Sequence, residues 1–292
     1  MAPVIIDFHT HVFPAWLRER RDEYMKSDPC FGSLYSEPKA KMATADEMVA
    51  SMDEAGIDMS VVLNIGWVSH EICVKTNDYI LESVSRYPTR LVGFCAVQPK
   101  VGDAAIVEME RCAAAGARGI GELRSDLQGF DLADDSTMKP LVDALMKHNL
   151  ILLTHASEPV GHEYPGKGSI TPDILYSFTT AFPDLRLVCA HWGGGLPFYG
   201  LMPEVKKALA NVFFDTAATP FLYHHSVFSH VTGIIGSERI VLGTDYPLMH
   251  QKRVIDQVRS SGLSEEDQAG ILGGNAERML SRTEGSSDDS EP

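Results

Sequence analysis

The sequence predicts an α/β fold, a single-domain (β/α)8 TIM barrel, and three observations carry that expectation. Short β-branched runs alternate with longer amphipathic segments, the alternation repeats eight times within 292 residues, and several runs are almost continuously apolar. Parallel strands covered on both faces have this last character. Eight βα units close a barrel, and chains of this length commonly fold as one such domain. An open, doubly wound sheet is the alternative architecture, but it usually stops at fewer strands.

Taken in order, the first strand candidate is Val4–His9, followed by an excursion from Val12 to about Ala43 that carries Pro14, Pro29, Gly32 and Pro38. Thr44 and Glu47 then form a capping box, Met48 and Met52 share one face, and Gly56 stands where that helix should stop. Strands at Ser60–Ile65, Leu91–Val97 and Gly119–Leu123 alternate with helical patterns at Asn77–Tyr87, Ala104–Ala115 and Met138–His148. Leu150–His155, Leu187–His191, Val212–Thr216 and Ile240–Asp245 complete the strands, with helices at Pro172–Phe182, Pro203–Ala210, Val227–Ile235 and Lys252–Arg259. The segments Ala156–Ser169 and His191–Met202, like the first excursion, are long and follow strand carboxyl ends, the face on which barrels place their sites. The barrel is expected over 1–280, and 281–292 (SRTEGSSDDSEP) read as an acidic, disordered tail.

Composition narrows the function classes. A formal charge of -15 argues against nucleic acid and anionic membranes as partners, since both reward clusters of Lys and Arg. A small anionic substrate stays open, because a metal site sets its own local field. Five scattered cysteines without a C-x-x-C pair suit a reducing cytoplasm. The start MAPVIIDFH shows no secretory signal, and no apolar run reaches membrane-spanning length.

The chemistry gathers at strand ends. Residues two apart on a strand share a face, so His9 and His11 project together, with Asp7 on the same side. Two imidazoles at the mouth of a barrel are natural ligands for zinc or a similar cation. Strands five, six and eight also end in ligand types, with His155 after ILLT, His191 after LVCA and Asp245 after IVLGT. One polar residue at a strand end often only caps a loop; four strands ending this way form a constellation. Asp245, ionised beside a cation, is expected to bind metal and to take a proton, and His191 to position water or carry protons.

These residues also carry a resemblance. IDFHTH near the start, AHWGGGLP after strand six, LGTDYP at strand eight and the closing ILGGNAERML resemble the amidohydrolase superfamily from Val4 to about Leu280. They are most similar to the branch that contains aminocarboxymuconate-semialdehyde decarboxylase, the aromatic-acid decarboxylases, and hydrolases and hydratases of dicarboxylic acids. The resemblance implies that His9, His11, His155 and Asp245 are metal-site residues. It makes His191 either a second-metal ligand or a general acid/base, and it implies a homodimer.

Strand four departs from the decarboxylase pattern. GIGELR resembles branches in which a strand-four Glu bridges two metals, so Glu122 adds a ligand and room for one or two ions per chain, most simply Zn2+ with Mn2+ as the alternative. Two other readings of Glu122 stay open: it orients a ligand histidine, or it pairs with Arg124. Arg124 either grips a substrate carboxylate through its planar fork or forms a structural ion pair. Trp192 either walls the pocket or packs in the core. Weighted by Glu122, the expected function is hydrolysis of a small ester, lactone or amide-like bond by metal-activated water. The alternative is non-oxidative decarboxylation of an aromatic or muconate-like acid, with His191 delivering the proton. A non-catalytic metal-binding barrel is the third reading.

Overall fold

The structure is a computed structural model that describes residues 3–281. Of the expected disordered tail 281–292, Ser281 ends the last helix, and 282–292 lie outside the described residues. Eight parallel strands follow one another around the sheet in chain order. They are β1 (Ile6–His11), β2 (Met59–Leu63), β3 (Leu91–Cys95), β4 (Gly119–Leu123), β5 (Ile151–Thr154), β6 (Leu187–Cys189), β7 (Val212–Asp215) and β8 (Ile240–Val241). The last strand meets the first through backbone bonds: Phe8 N–H donates to Leu242 O at 2.7 Å, Asp245 N–H to His9 O at 2.8 Å, and His11 N–H to Tyr246 O at 2.7 Å. A ring closed in this way leaves little strand edge for foreign chains to pair with.

Each strand leads into helical structure on the outside. The main helices are α1 (Ala45–Ala55), α2 (His70–Arg86), α3 (Asp103–Ala114), α4 (Asp135–Lys147), α5 (Pro172–Ala181), α6 (Pro203–Ala208), α7 (Val227–Ile235) and α8 (Gln251–Arg259), with α9 (Asn275–Ser281) closing the chain. The capping box is present at α1: Thr44 Oγ1 accepts from Glu47 N–H, and the Glu47 carboxylate accepts from Thr44 N–H. No described helix is long and apolar enough to cross a membrane. All five cysteines are buried and unbridged.

Strand alternation sorts the core into two clusters. Ile6, Phe8, Leu63, Phe94, Ile151 and Leu153 pack with Ala276 and Met279 of α9, filling the barrel. Val62, Ile120 and Leu152 pack instead with Met52, Leu141 and Phe178 of the helical layer. Side chains of this kind each contribute roughly 1.5–3 kcal/mol when buried, so the barrel is held independently of anything bound at its mouth.

The long excursion after β1 is more organised than a loop. It forms short helices at Ala15–Glu19, Arg21–Ser27 and Pro29–Tyr35. These carry a core of their own, in which Phe31 stacks on Trp67 with ring centroids 5.3 Å apart. Other differences from the expected elements lie at strand ends. β1 runs on to His11, whereas β8 stops at Val241, short of the expected Asp245, which itself takes φ +62° and so lies outside extended form.

Candidate metal centre and cavity

The strand ends bring six ligand-bearing side chains into one cluster. Potential donor atoms of His9, His11 and Glu122 lie within 4.8 Å of one another, as do those of His9, His191 and Asp245, and those of Glu122, His155 and His191. The three groups share His9, Glu122 and His191, so they form one centre. His9 Nε2 and His11 Nε2 face each other at 3.1 Å, and His11 Nε2 stands 3.4 Å from Asp245 Oδ1 and 3.7 Å from Glu122 Oε2. His155 Nδ1 meets Glu122 Oε1 at 2.8 Å, and His191 Nε2 lies 3.5 Å from the same oxygen.

Local backbone explains how the side chains get there. The β1–β2 register shifts between Asp7 and Thr10, so the expected side shared by Asp7, His9 and His11 is broken. Asp7 accepts from Thr244 N–H, from the Thr244 hydroxyl and from Gln251 Nε2 at the start of α8, away from the two histidines. On β4 the pairing with β5 shifts between Ile120 and Leu123, which brings Glu122 to the cluster although Ile120 packs towards the helices. Gly121 permits the close approach, since a Cβ there would stand 2.7 Å from Leu153 O. His191 and Asp245 both adopt left-handed φ, +54° and +62°. Such conformations cost energy in non-glycine residues and collect at functional sites.

The electrostatics are those of a site prepared for positive charge. Burial would raise the Glu122 carboxyl, but hydrogen bonds from His155 and His191 outweigh it and hold the group well below the usual range. Burial also pushes Asp245 upward, while the hydrogen bond from His11 and the His9, His191 and His11 imidazoles bring it down to about 2. His155 is driven down to about 4 by burial and the Arg124 charge. His9 is pushed up to about 10, because Asp215, Glu122 and Asp245 together overcome its burial. Asp215, fully buried, takes His9 Nδ1 at 2.7 Å and accepts the backbone N–H groups of His191 and Ala217. That partner fixes which imidazole nitrogen of His9 faces the centre.

The residues present fit a divalent cation. Four imidazoles and two carboxylates converge, with His9 Nε2 and His11 Nε2 only 3.1 Å apart. Nitrogen and oxygen donors of this kind suit zinc, manganese and their neighbours. His11, Glu122, His155, His191 and Asp245 also line a cavity of about 460 Å3, with His9 just behind them. Its walls are largely apolar, with Leu34 and Tyr35 from the first excursion and Phe221 and Leu222 from the segment after β7.

Two residues expected to touch substrate have other tasks. Arg124 lines the cavity but is only 1% exposed, with Nε and Nη2 on Asp126 at 3.3 and 3.1 Å and Nη1 on Gly166 O at 2.9 Å. Its fork is therefore committed within the protein, as the ion-pair reading had it. Trp192 is fully buried beside Phe228, with Nε1–H donated to Thr219 Oγ1 at 2.8 Å, and it does not reach the cavity. Its backbone, like that of His191, is left-handed, with φ +57°. From the segment after β5, His162 and Tyr164 line the cavity, whereas His224 and His225 after β7 lie exposed outside it. Sequence reading missed Ser157, whose hydroxyl meets His155 Nε2 at 2.9 Å. Its only signal is the His-x-Ser spacing, too common to single out.

The sequence model of the family described as Amidohydrolase matches residues 6–282. The 2-amino-3-carboxymuconate-6-semialdehyde decarboxylase of Dictyostelium discoideum is 22% identical over 94% of this chain and 91% of its own length. The gamma-resorcylate decarboxylase of Polaromonas sp. is 22% identical over 80% of this chain and 86% of its own. Among solved structures, 5-carboxyvanillate decarboxylase from Sphingomonas paucimobilis superposes with a TM-score of 0.80 at 19% identity, over 96% of this chain and 99% of that one. A dihydroxybenzoic acid decarboxylase from Polaromonas sp. JS666, solved with manganese and 2-nitroresorcinol, gives 0.74 at 20% identity, over 97% and 98%. These relatives overturn the expected hydrolysis. Glu122 does stand in the cluster, but a strand-four carboxylate is also able to serve histidines, as its bond to His155 shows, and so does not by itself specify a hydrolase.

Proposed function

Because the chain belongs to the amidohydrolase family, in the branch of aminocarboxymuconate-semialdehyde decarboxylase, we propose that it is a metal-dependent carboxy-lyase acting on an aromatic or muconate-like carboxylic acid. The observation that carries this reading is the placement of an apolar-walled cavity directly against the histidine and carboxylate cluster. A flat acid enters such a space with its ring on the walls and its oxygens towards the cluster. His9, His11, His155 and Asp245 would hold the cation, with Glu122 facing it, and manganese, named in the solved relative, is the preferred ion. When bound, the cation supplies a Lewis acid that polarises the substrate's oxygens.

The protein's own groups then have distinct parts. His191 Nε2 is the proton store: burial lowers its pKa, but the Glu122 hydrogen bond and the charges of Asp245 and Glu122 raise it above its ordinary value. As the bond between carbon and carboxylate breaks, the electron pair remains on the carbon, takes the proton from His191 Nε2, and carbon dioxide leaves. Asp245, held ionised, is not the donor. A substrate seated against the apolar walls would displace water from the cluster, which strengthens each of these interactions. A homodimer remains part of the proposal, to be read by sedimentation velocity.

The test is to supply the Mn2+-loaded protein with hydroxybenzoates, carboxyvanillate-like diacids and muconate-like acids, following carbon dioxide and substrate loss together. Equal amounts of both are expected for at least one acid. Acid release from lactones or esters without any carbon dioxide would overturn the proposal.

A further inference from the structure

We infer that Ser157 and the buried Arg124–Asp126 pair form one positioning device, which docks the segment after β5 over the cavity and fixes the imidazole of His155. The inference rests on the proposed role of His155 as a ligand.

The device begins at the imidazole. His155 Nδ1 faces Glu122, and its other nitrogen, Nε2, meets Ser157 Oγ at 2.9 Å. With the proton on Nδ1, that nitrogen donates to Glu122 and Nε2 accepts from the Ser157 hydroxyl. With Nδ1 given up to a ligand role, the proton would sit on Nε2, and the same hydroxyl would be the acceptor. A hydroxyl serves both states without moving, which neither a carboxylate nor an amide nitrogen could do.

Ser157 is itself held by the loop. It is fully buried, its Oγ accepts from Gly168 N–H at 2.9 Å, and its N–H donates to Ile170 O at 2.9 Å. The stretch 166–169 is in turn pinned to β4 and the turn after it. Arg124 Nη1 donates to Gly166 O at 2.9 Å, and Asp126 Oδ2 accepts from Ser169 N–H at 3.1 Å. Gly168 is pressed so closely on the pair that a Cβ would collide with Asp126 Oδ2 and stand 2.7 Å from Arg124 Nη2. His162, Tyr164 and Pro165, which line the cavity, lie between Ser157 and this pinned stretch. Docking the loop and aiming the imidazole are therefore one event.

The experiment compares wild type, Ser157→Ala, Asp126→Asn and the double variant in two ways. Mn2+ affinity of the metal-free proteins is measured by chelator competition, and backbone hydrogen exchange over 158–169 is followed without metal. Ser157→Ala should weaken Mn2+ binding about 10–100-fold, the usual loss when a ligand's outer partner is removed, and should speed exchange at Gly168. Asp126→Asn should speed exchange at Ser169 and across the loop, and should weaken Mn2+ binding in the same direction. Because both act through one imidazole, the double variant should lose less than the product of the two single effects. Unchanged Mn2+ affinity in Ser157→Ala, or multiplying losses in the double variant, would overturn the inference. If Asp126→Asn does not fold, Ser157→Ala alone decides. A wild-type protein without Mn2+ binding would instead reject the proposed ligand set, and the exchange measurements would still decide whether Ser157 and Asp126 dock the loop.

Discussion

His191 concentrates the residue-scale argument, since its left-handed backbone, its burial and its contact with Glu122 all act on one imidazole. As the proton store it must be protonated to act, and its pKa is raised in the folded protein. Turnover should therefore hold at lower pH and fall as pH rises through that raised value. His191→Gln should lose at least ~10²-fold in kcat, the lower end of what general acid catalysis contributes, and should abolish the alkaline fall. A pH–rate profile of the variant that keeps the same fall would assign the proton to another group. At this scale the sequence was legible where a strand pattern ran straight into a ligand type, as at His155, His191 and Asp245. It was not legible where a side chain's partner lies far along the chain. Asp215 and His9 are 206 positions apart, and no local pattern announces their bond. For Arg124 and Trp192 the sequence left two readings open for a related reason: it shows which residues neighbour the site, but not which groups already satisfy them.

Among elements, β4 best shows where periodicity stops being a guide. A regular strand would keep Glu122 on the side of Ile120, facing the helices, and the register shift before Leu123 changes that side. Gly121 marks the spot, which the sequence displays only as one more glycine in GIGEL. Gly121→Ala should drive its new methyl against Leu153 O and cost roughly 1–3 kcal/mol, as overpacked positions do. Urea unfolding would measure the loss, and Mn2+ affinity should fall with it, because Glu122 follows directly. A variant as stable as wild type with unaltered Mn2+ binding would contradict that account of β4. The remaining elements were readable because apolar strand runs and capped helices are local signals; the capping box at Thr44 and Glu47 stands as expected. The excursion after β1 read as a loop because its helices are five to seven residues long, too short to show a 3.6-residue period.

For the whole molecule, the separation between a filled barrel and a polar mouth sets the response to metal. The interior cluster from Ile6 and Phe8 to α9 contains none of the six proposed site residues. Chelated protein should therefore remain folded by circular dichroism and unfold in one transition. Added Mn2+ should raise its Tm, with about 2.7 kcal/mol gained at a free concentration 100 times the Kd. Unfolding on chelation alone would show that the barrel needs its ion. The same layering fixes the order of traffic. His9 is wholly enclosed, the side chains above it line the cavity, and Phe8 and Phe94 pack the barrel interior below. An ion seated among these residues would share the cavity's doorway with the acid that enters after it. A molecule standing in that doorway imprisons the ion, so the protein should hold its metal longest while it is occupied and surrender it only between visitors.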